Sequence, residues 1–209
     1  IAIYSKDIRD LPIELDDIAL IYSRKIERET RRIELEKENF EIRKQLEELS
    51  ITDTLTNLFN RRYFGKVCSN VFEQVKRDSI NATLCYIDID NFKRINDKFG
   101  HEGGDFVLKY FADILLSKSR KGNDYIFRLG GEEFCIISIN TPINYSYEHM
   151  KRIMNLTSKK FFVTKFGKIT LSIGIVEFDK KFNSYEEILN LADKRMYEAK
   201  KSGKNAIVK

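Results

Sequence analysis

Two short runs concentrate carboxylates in a way that packing alone does not require. The first is "YIDIDNFKRIND", residues 86–97, in which Asp88 and Asp90 alternate with Ile87 and Ile89. In an extended strand a period of two puts both acids on one face. The second is "DYIFRLGGEEFCIISI", residues 124–139, where two glycines and two glutamates, Gly130, Gly131, Glu132 and Glu133, interrupt apolar, strand-like flanks. If the two runs lie side by side, three or four carboxylates share one small volume. Like charges that close do not all stay ionised without a counter-charge. A hard divalent cation supplies one, since magnesium takes oxygen ligands and retains waters and phosphate oxygens. Glycines without Cβ atoms let a nucleotide approach the backbone. Lys93, Lys200 and Lys204 are the basic residues available to meet phosphate. Acidic metal ligands facing basic residues describe a nucleotidyl-transfer site. The plainer alternatives stay open at this level: one aspartate caps the following helix while the other is solvated, and the lysines only complement a helix dipole.

The elements that must position these residues follow from the pattern. "ATLCYIDID" (82–90) reads as a strand and "FKRINDKFG" as a short helix stopped at Gly100. An amphipathic helix follows at 104–119. "DYIFRL" and "FCIISI" form two strands joined by the Gly130–Gly131 turn, and 145–160 reads as a helix. "FFVTKF" and "KITLSIGIVEF" are expected to pair as a hairpin across Gly167. Residues 184–203 form a helix ending at Gly203, and "NAIVK" closes as an edge strand. Upstream, Ser50, Thr52 and Asp53 are candidate caps for a helix from Arg61 to about Arg77. The order predicts an α+β fold, a mainly antiparallel sheet with helices on one face, close to the split βαβ arrangement.

The N-terminal quarter differs. Residues 23–49 contain no Gly or Pro, with apolar positions at seven-residue spacing, Ala19, Ile26, Ile33 and Phe40, then a shifted series, Leu35, Ile42 and Leu49. One series fading as another begins suggests a coiled coil with a stutter. The expected organisation is 1–14 as the tail of an upstream module, with "IAIYS" as a short strand, 15–49 as a coiled-coil helix, and 50–209 as the main domain.

Composition excludes several classes. The 209 residues carry 37 basic and 32 acidic side chains, a net charge of +5, and 42% hydrophobic residues. That is enough apolar material for a packed core and too mild a charge to call for nucleic acid. Cys68, Cys85 and Cys135 have no metal-ligand spacing and read as buried small hydrophobes. No apolar run reaches the ~18 residues of a membrane span. The chain opens on Ile1 rather than Met, so a fragment of a longer protein is expected, cytoplasmic here, with sensor or membrane segments upstream.

Five motifs in order, "DTLTNLFNRR", "IDIDNFKRINDKFGHEGGD", "RLGGEEF", "LSIGI" and "ADKRMYEAKKSGKN", resemble the GGDEF family of diguanylate cyclases in its GGEEF variant, over about residues 50–209. The resemblance implies a palm-like nucleotidyl cyclase fold and the condensation of two GTP into cyclic di-GMP with release of two pyrophosphates. By position it implies Asp88 and Glu132 as ligands of two magnesium ions, with manganese as a substitute, assisted by the Ile89 carbonyl and by Glu133. Asp88, Glu132 and Glu133 are then the catalytic set. Asn96 and Asp105 match the guanine contacts, and a carboxylate suits guanine because N1–H and the exocyclic amine are both donors. Lys93, Lys200 and Lys204 match phosphate contacts, and the backbone of Asn91, Phe92, Gly130 and Gly131 matches the triphosphate cradle. Each such domain holds one GTP, so a homodimer through the N-terminal helix is implied, driven by an upstream sensor domain in the same full-length chain.

One departure stands out. The product-inhibition motif Arg-x-x-Asp has Lys121 and Asp124 at the matching positions, with Arg120 one residue out of register. Lysine lacks the planar fork that grips guanine and phosphate together, so weak or absent feedback is expected.

Overall fold

The computed structural model describes residues 15–49, 51–162 and 164–209. The strand expected at 1–5, the tail at 1–14 and the cap Ser50 lie outside them. The chain divides between Ser50 and Ile51 into two compact units.

The first unit contains one helix, α1 (Leu15–Leu49), of 35 residues, about 52 Å long at helical rise. Ile26, Ile33 and Phe40 are about 65% exposed, and Leu35 and Ile42 about half exposed. An Arg32–Glu36 pair at 3.0 Å, one turn apart, is typical of its charged surface.

The second unit is a six-stranded mixed sheet in the order β1-β3-β4-β2-β5-β6. The strands are β1 (Phe59–Asn60), β2 (Ala82–Ile89), β3 (Asp124–Gly130), β4 (Glu133–Ile139), β5 (Leu171–Glu177) and β6 (Ala206–Val208). The four central strands are antiparallel, and the short edges β1 and β6 run parallel to β3 and β5. The helices are α2 (Arg61–Lys76), α3 (Phe92–Lys118), α4 (Ile143–Phe162) and α5 (Tyr185–Lys201).

All eight residues of β2 are buried, because helices cover both faces of the sheet. Cys85, Ile87 and Ile89 pack with residues of α3 and α4, while Leu84 and Tyr86 pack with residues of α2 and α5. Helices on one face only is therefore corrected to helices on both. The alternation of β2 is apolar on each side, which a one-sided sheet would not need. The three cysteines are buried free thiols.

Two local expectations also change. "FFVTKF" does not form a strand: Phe161 and Phe162 end α4, Thr164–Phe166 lie in a turn, and Val163 is outside the described residues. Phe161 is fully buried in the α3/α4 core, so tertiary burial keeps this aromatic pair helical against its β propensity. The cap of α2 is Asn60, whose side chain accepts from the Tyr63 amide at 3.0 Å, rather than Thr52 or Asp53. Asp53 instead accepts from the backbone and hydroxyl of Thr56 and pairs with Arg128. The two helices expected around Gly100 are present as two segments of α3, separated at Gly100 by φ 73 and ψ 174.

Helix α5 lies very close to the sheet. A Cβ at Gly174 of β5 would overlap the Ala192 carbonyl oxygen and the Met196 amide nitrogen, so "LSIGI" needs its glycine for close approach. Gly174→Ala is expected to cost about 3 kcal/mol of stability, because backbone on both sides leaves no flexible group to yield. A urea midpoint like that of the wild type would contradict this seating.

Candidate active site

Strand register assembles the carboxylates. Asp88 of β2 stands opposite Glu133 of β4 on one side and Ser172 of β5 on the other. The Ile89 amide donates to the Glu132 carbonyl at 3.3 Å, which ties the glycine turn to the end of β2. Gly130 (φ 144) and Gly131 (φ 50) make that turn in backbone conformations closed to most residues.

The two aspartates of "IDID" divide their duties. Asp90 is 4% exposed and fully engaged. One oxygen accepts from the Ser172 hydroxyl at 2.7 Å, and the other from the Thr170 hydroxyl at 2.7 Å and the Asn205 amide at 3.0 Å. It fastens the ends of β2, β5 and β6. Asp88, 3% exposed, has a different partner: its Oδ2 lies 2.7 Å from Nζ of Lys200 at the end of α5. Burial pushes the Asp88 carboxyl up to about 6, against the lowering effect of Lys200 and with a further upward push from Glu132 and Glu133. Burial, with Glu133 among its acidic neighbours, pushes the Tyr86 hydroxyl up.

The glycine turn has a support that the sequence did not reveal. Arg128 donates from Nε and Nη2 to the Gly131 carbonyl at 3.0 and 2.9 Å, and its Nη1 reaches Asp53 at 3.0 Å. A planar fork with five donors can serve both at once. Arg128 was part of the quoted motif, but its partner lies 75 positions away.

The other candidates lie on the segments that follow β2 and α5. Lys204 donates to Asn91 Oδ1 at 2.5 Å, and both residues have left-handed backbones, with φ 66 and 58. Lys93 is exposed, while the Phe92 side chain is buried in the core, leaving only its backbone for a ligand. Asn96 is half-buried on the first segment of α3, and its Oδ1 occupies the place a Cβ on Gly104 would take. Exposed Asp105 follows directly, so the break at Gly100 folds the second segment back to this asparagine.

At the matching inhibitory positions Lys121 is exposed. The Asp124 carboxylate is held by Arg120, with Nη2 to Oδ1 at 2.8 Å and the backbone amide to Oδ2 at 2.7 Å. Arg120 also lines a cavity of about 360 Å³ with Tyr145, His149 and Arg152, away from the carboxylate cluster.

Among the described residues no group of three or more His, Cys, Asp or Glu stands as a ready-made metal cage. Magnesium does not require one, since it binds through one or two carboxylates plus substrate phosphates and waters. Buried Asp88 with Glu132 and Glu133 as electrostatic neighbours is a donor set of that kind.

The comparisons agree with this arrangement. The family model "Diguanylate cyclase, GGDEF domain" matches residues 50–206. The diguanylate cyclase DgcS of Shewanella oneidensis is 36% identical over 164 residues, covering 77% of this chain and 54% of the relative. The coiled coil and GGDEF domain of DgcB from Caulobacter crescentus, solved in complex with c-di-GMP, superposes with a TM-score of 0.72 at 26% identity, covering 86% of this chain and 97% of that one. The active GGEEF domain of a diguanylate cyclase from Vibrio cholerae gives 0.66 at 31% identity, covering 71% and 94%. The fold is that of a nucleotidyl cyclase of the GGDEF type, and the chain belongs to the diguanylate cyclase GGDEF-domain family. It spans about half or less of the length of the curated relatives it matches.

The Asp88 environment has a measurable consequence. Its folded pKa lies above the ordinary 3.8, so its contribution favours the fold below pH 3.8 and is lost as pH rises through about 6. In metal-free buffer Asp88→Asn is therefore expected to be more stable than the wild type at pH 7–8, by about 1–3 kcal/mol. The gain should shrink toward pH 4, as followed by chemical denaturation across pH. A variant less stable than the wild type at pH 8 would contradict a carboxylate whose burial costs more than Lys200 returns.

Proposed function

We propose that this chain is the catalytic segment of a diguanylate cyclase, condensing two GTP into cyclic di-GMP with release of two pyrophosphates. The observation that carries the reading is Asp88, a buried carboxylate beside Glu132 and Glu133 whose ion-pair partner is a lysine. A structural carboxylate would be satisfied as Asp90 is.

Asp88, Glu132, Glu133 and the Ile89 carbonyl would hold two magnesium ions, or manganese in their place. Bound there, the metal would acidify the attacking 3′-hydroxyl and neutralise charge on the departing pyrophosphate. The chain's own residues do the rest. Lys93, Lys200 and Lys204, with the backbone of Asn91, Phe92, Gly130 and Gly131, hold the triphosphate. Asn96 and Asp105 read guanine through its two donors. In each half-reaction the 3′-oxygen bonds to the α-phosphorus of the other GTP, the bond from that phosphorus to the bridging β-phosphate oxygen breaks, and Glu132 accepts the hydroxyl proton.

Incubation of the protein with magnesium and GTP, ATP or both, followed by chromatography, tests this directly. Cyclic di-GMP is expected from GTP alone. Glu132→Ala should keep the far-UV circular dichroism and denaturation midpoint while losing at least 100-fold in turnover. Near-normal activity in that variant would sink the assignment.

A two-fold product needs two sites face to face, so the reading includes a homodimer. The unpartnered apolar series on α1 supports pairing with a second copy, and the presence of a coiled coil in the DgcB structure is consistent with it. An upstream sensor module ending near residue 14 would act through this helix. Deletion of residues 1–48 is expected to reduce activity per molecule at least tenfold at nanomolar protein and to restore it as concentration rises. Concentration-independent activity would contradict the role of α1. The Arg120–Asp124 pair supports weak product feedback, because the carboxylate is already satisfied by its own neighbour.

A further inference from the structure

Lys200 stands where a bound metal would compete with it. Its ammonium is 2.7 Å from Oδ2 of Asp88, whose side chain is 5% exposed while that of Lys200 is 30% exposed. The contact is built into the fold. Asp88 shares its face of β2 with Leu84 and Tyr86, which pack with residues of α5, and Gly174 lets that helix sit directly on the sheet. A carboxylate oxygen can accept from two partners, but an ammonium and a divalent cation on the same oxygen would be close like charges in a poorly hydrated place. One must leave. The half-exposed four-carbon stem of Lys200 makes it the mobile member, and a triphosphate gives it somewhere to go.

The geometry points to Lys200 as a resident counter-cation that occupies Asp88 until metal and triphosphate arrive together. This rests on the metal-dependent reading above and deepens it. Metal alone must displace the lysine and leave its charge without a partner. Metal with nucleotide exchanges one anion for another around the same ammonium. The coupling is reciprocal, so nucleotide strengthens metal binding by the same factor that metal strengthens nucleotide binding. Lys200 thereby offsets the Asp88 charge beside the two glutamates, and free divalent ions enter poorly.

The test uses Mn²⁺ as the probe, with binding to the purified protein followed by the loss of the free-ion EPR signal. Without nucleotide, Lys200→Met is expected to bind Mn²⁺ roughly tenfold tighter than the wild type, and a non-hydrolysable GTP analogue should enhance Mn²⁺ binding less in the variant. Equal or weaker binding in Lys200→Met, with Mn²⁺ binding of the wild type abolished by Asp88→Asn, overturns the exchange alone. Binding unaffected by Asp88→Asn, or absent with and without nucleotide, overturns both the exchange and the metal site. Should Lys200→Met fail to fold, Lys200→Arg tests the same point from the other side. Its fork grips the carboxylate harder, so Mn²⁺ alone should bind more weakly than to the wild type, and equal or tighter binding overturns the exchange.

Discussion

A carboxylate at the end of a strand buried on both faces is the constraint around which the catalytic unit is arranged. Asp88 cannot remain charged there without compensation, and the compensation comes from the far end of the last helix. For Lys200 to arrive, α5 must lie against the sheet at backbone distance, which demands a glycine in β5. For the glutamates to arrive, β4 must keep its register with β2 through the glycine turn, and Arg128 secures that turn from behind. Central strand, last helix and hairpin are thus three answers to one electrostatic problem.

Asp90 sets the contrast. Two residues along, on the same face and equally buried, it has both oxygens engaged by neutral donors from two neighbouring segments. It stabilises without offering chemistry, whereas Asp88 remains open to a stronger cation. The same residue type in one short motif has been put to opposite uses by the donors around it.

Much of this was legible in the chain. Alternation in "YIDID" and the glycine interruption in "RLGGEEF" located the central strand and hairpin, because period and turn chemistry are local properties. What escaped was non-local. The second helical layer depends on both sides of β2 being apolar, which alternating hydrophobics of different shape disguise. The residues "FF" at 161–162 read as strand by composition, yet Phe161 belongs to a helix whose core needs it. Asp53 had the look of a helix cap, but a guanidinium 75 residues away claims it. Spacing alone could not tell Asp88 from Asp90, and only the family resemblance singled out Asp88, since their partners come from β5, α5 and the final loop.

Lys204 and Asn205 turn the chain after α5 through left-handed conformations, φ 66 and 48, with no glycine at either position. Such a backbone costs a lysine roughly 1 kcal/mol relative to glycine. Selection for folding alone would favour glycine at 204, while the reach to Asn91 requires the ammonium. Position 204 is therefore one where thermal robustness and the proposed phosphate contact are in direct opposition. Drift toward glycine there would produce a sturdier backbone that has given up its tie to the start of α3.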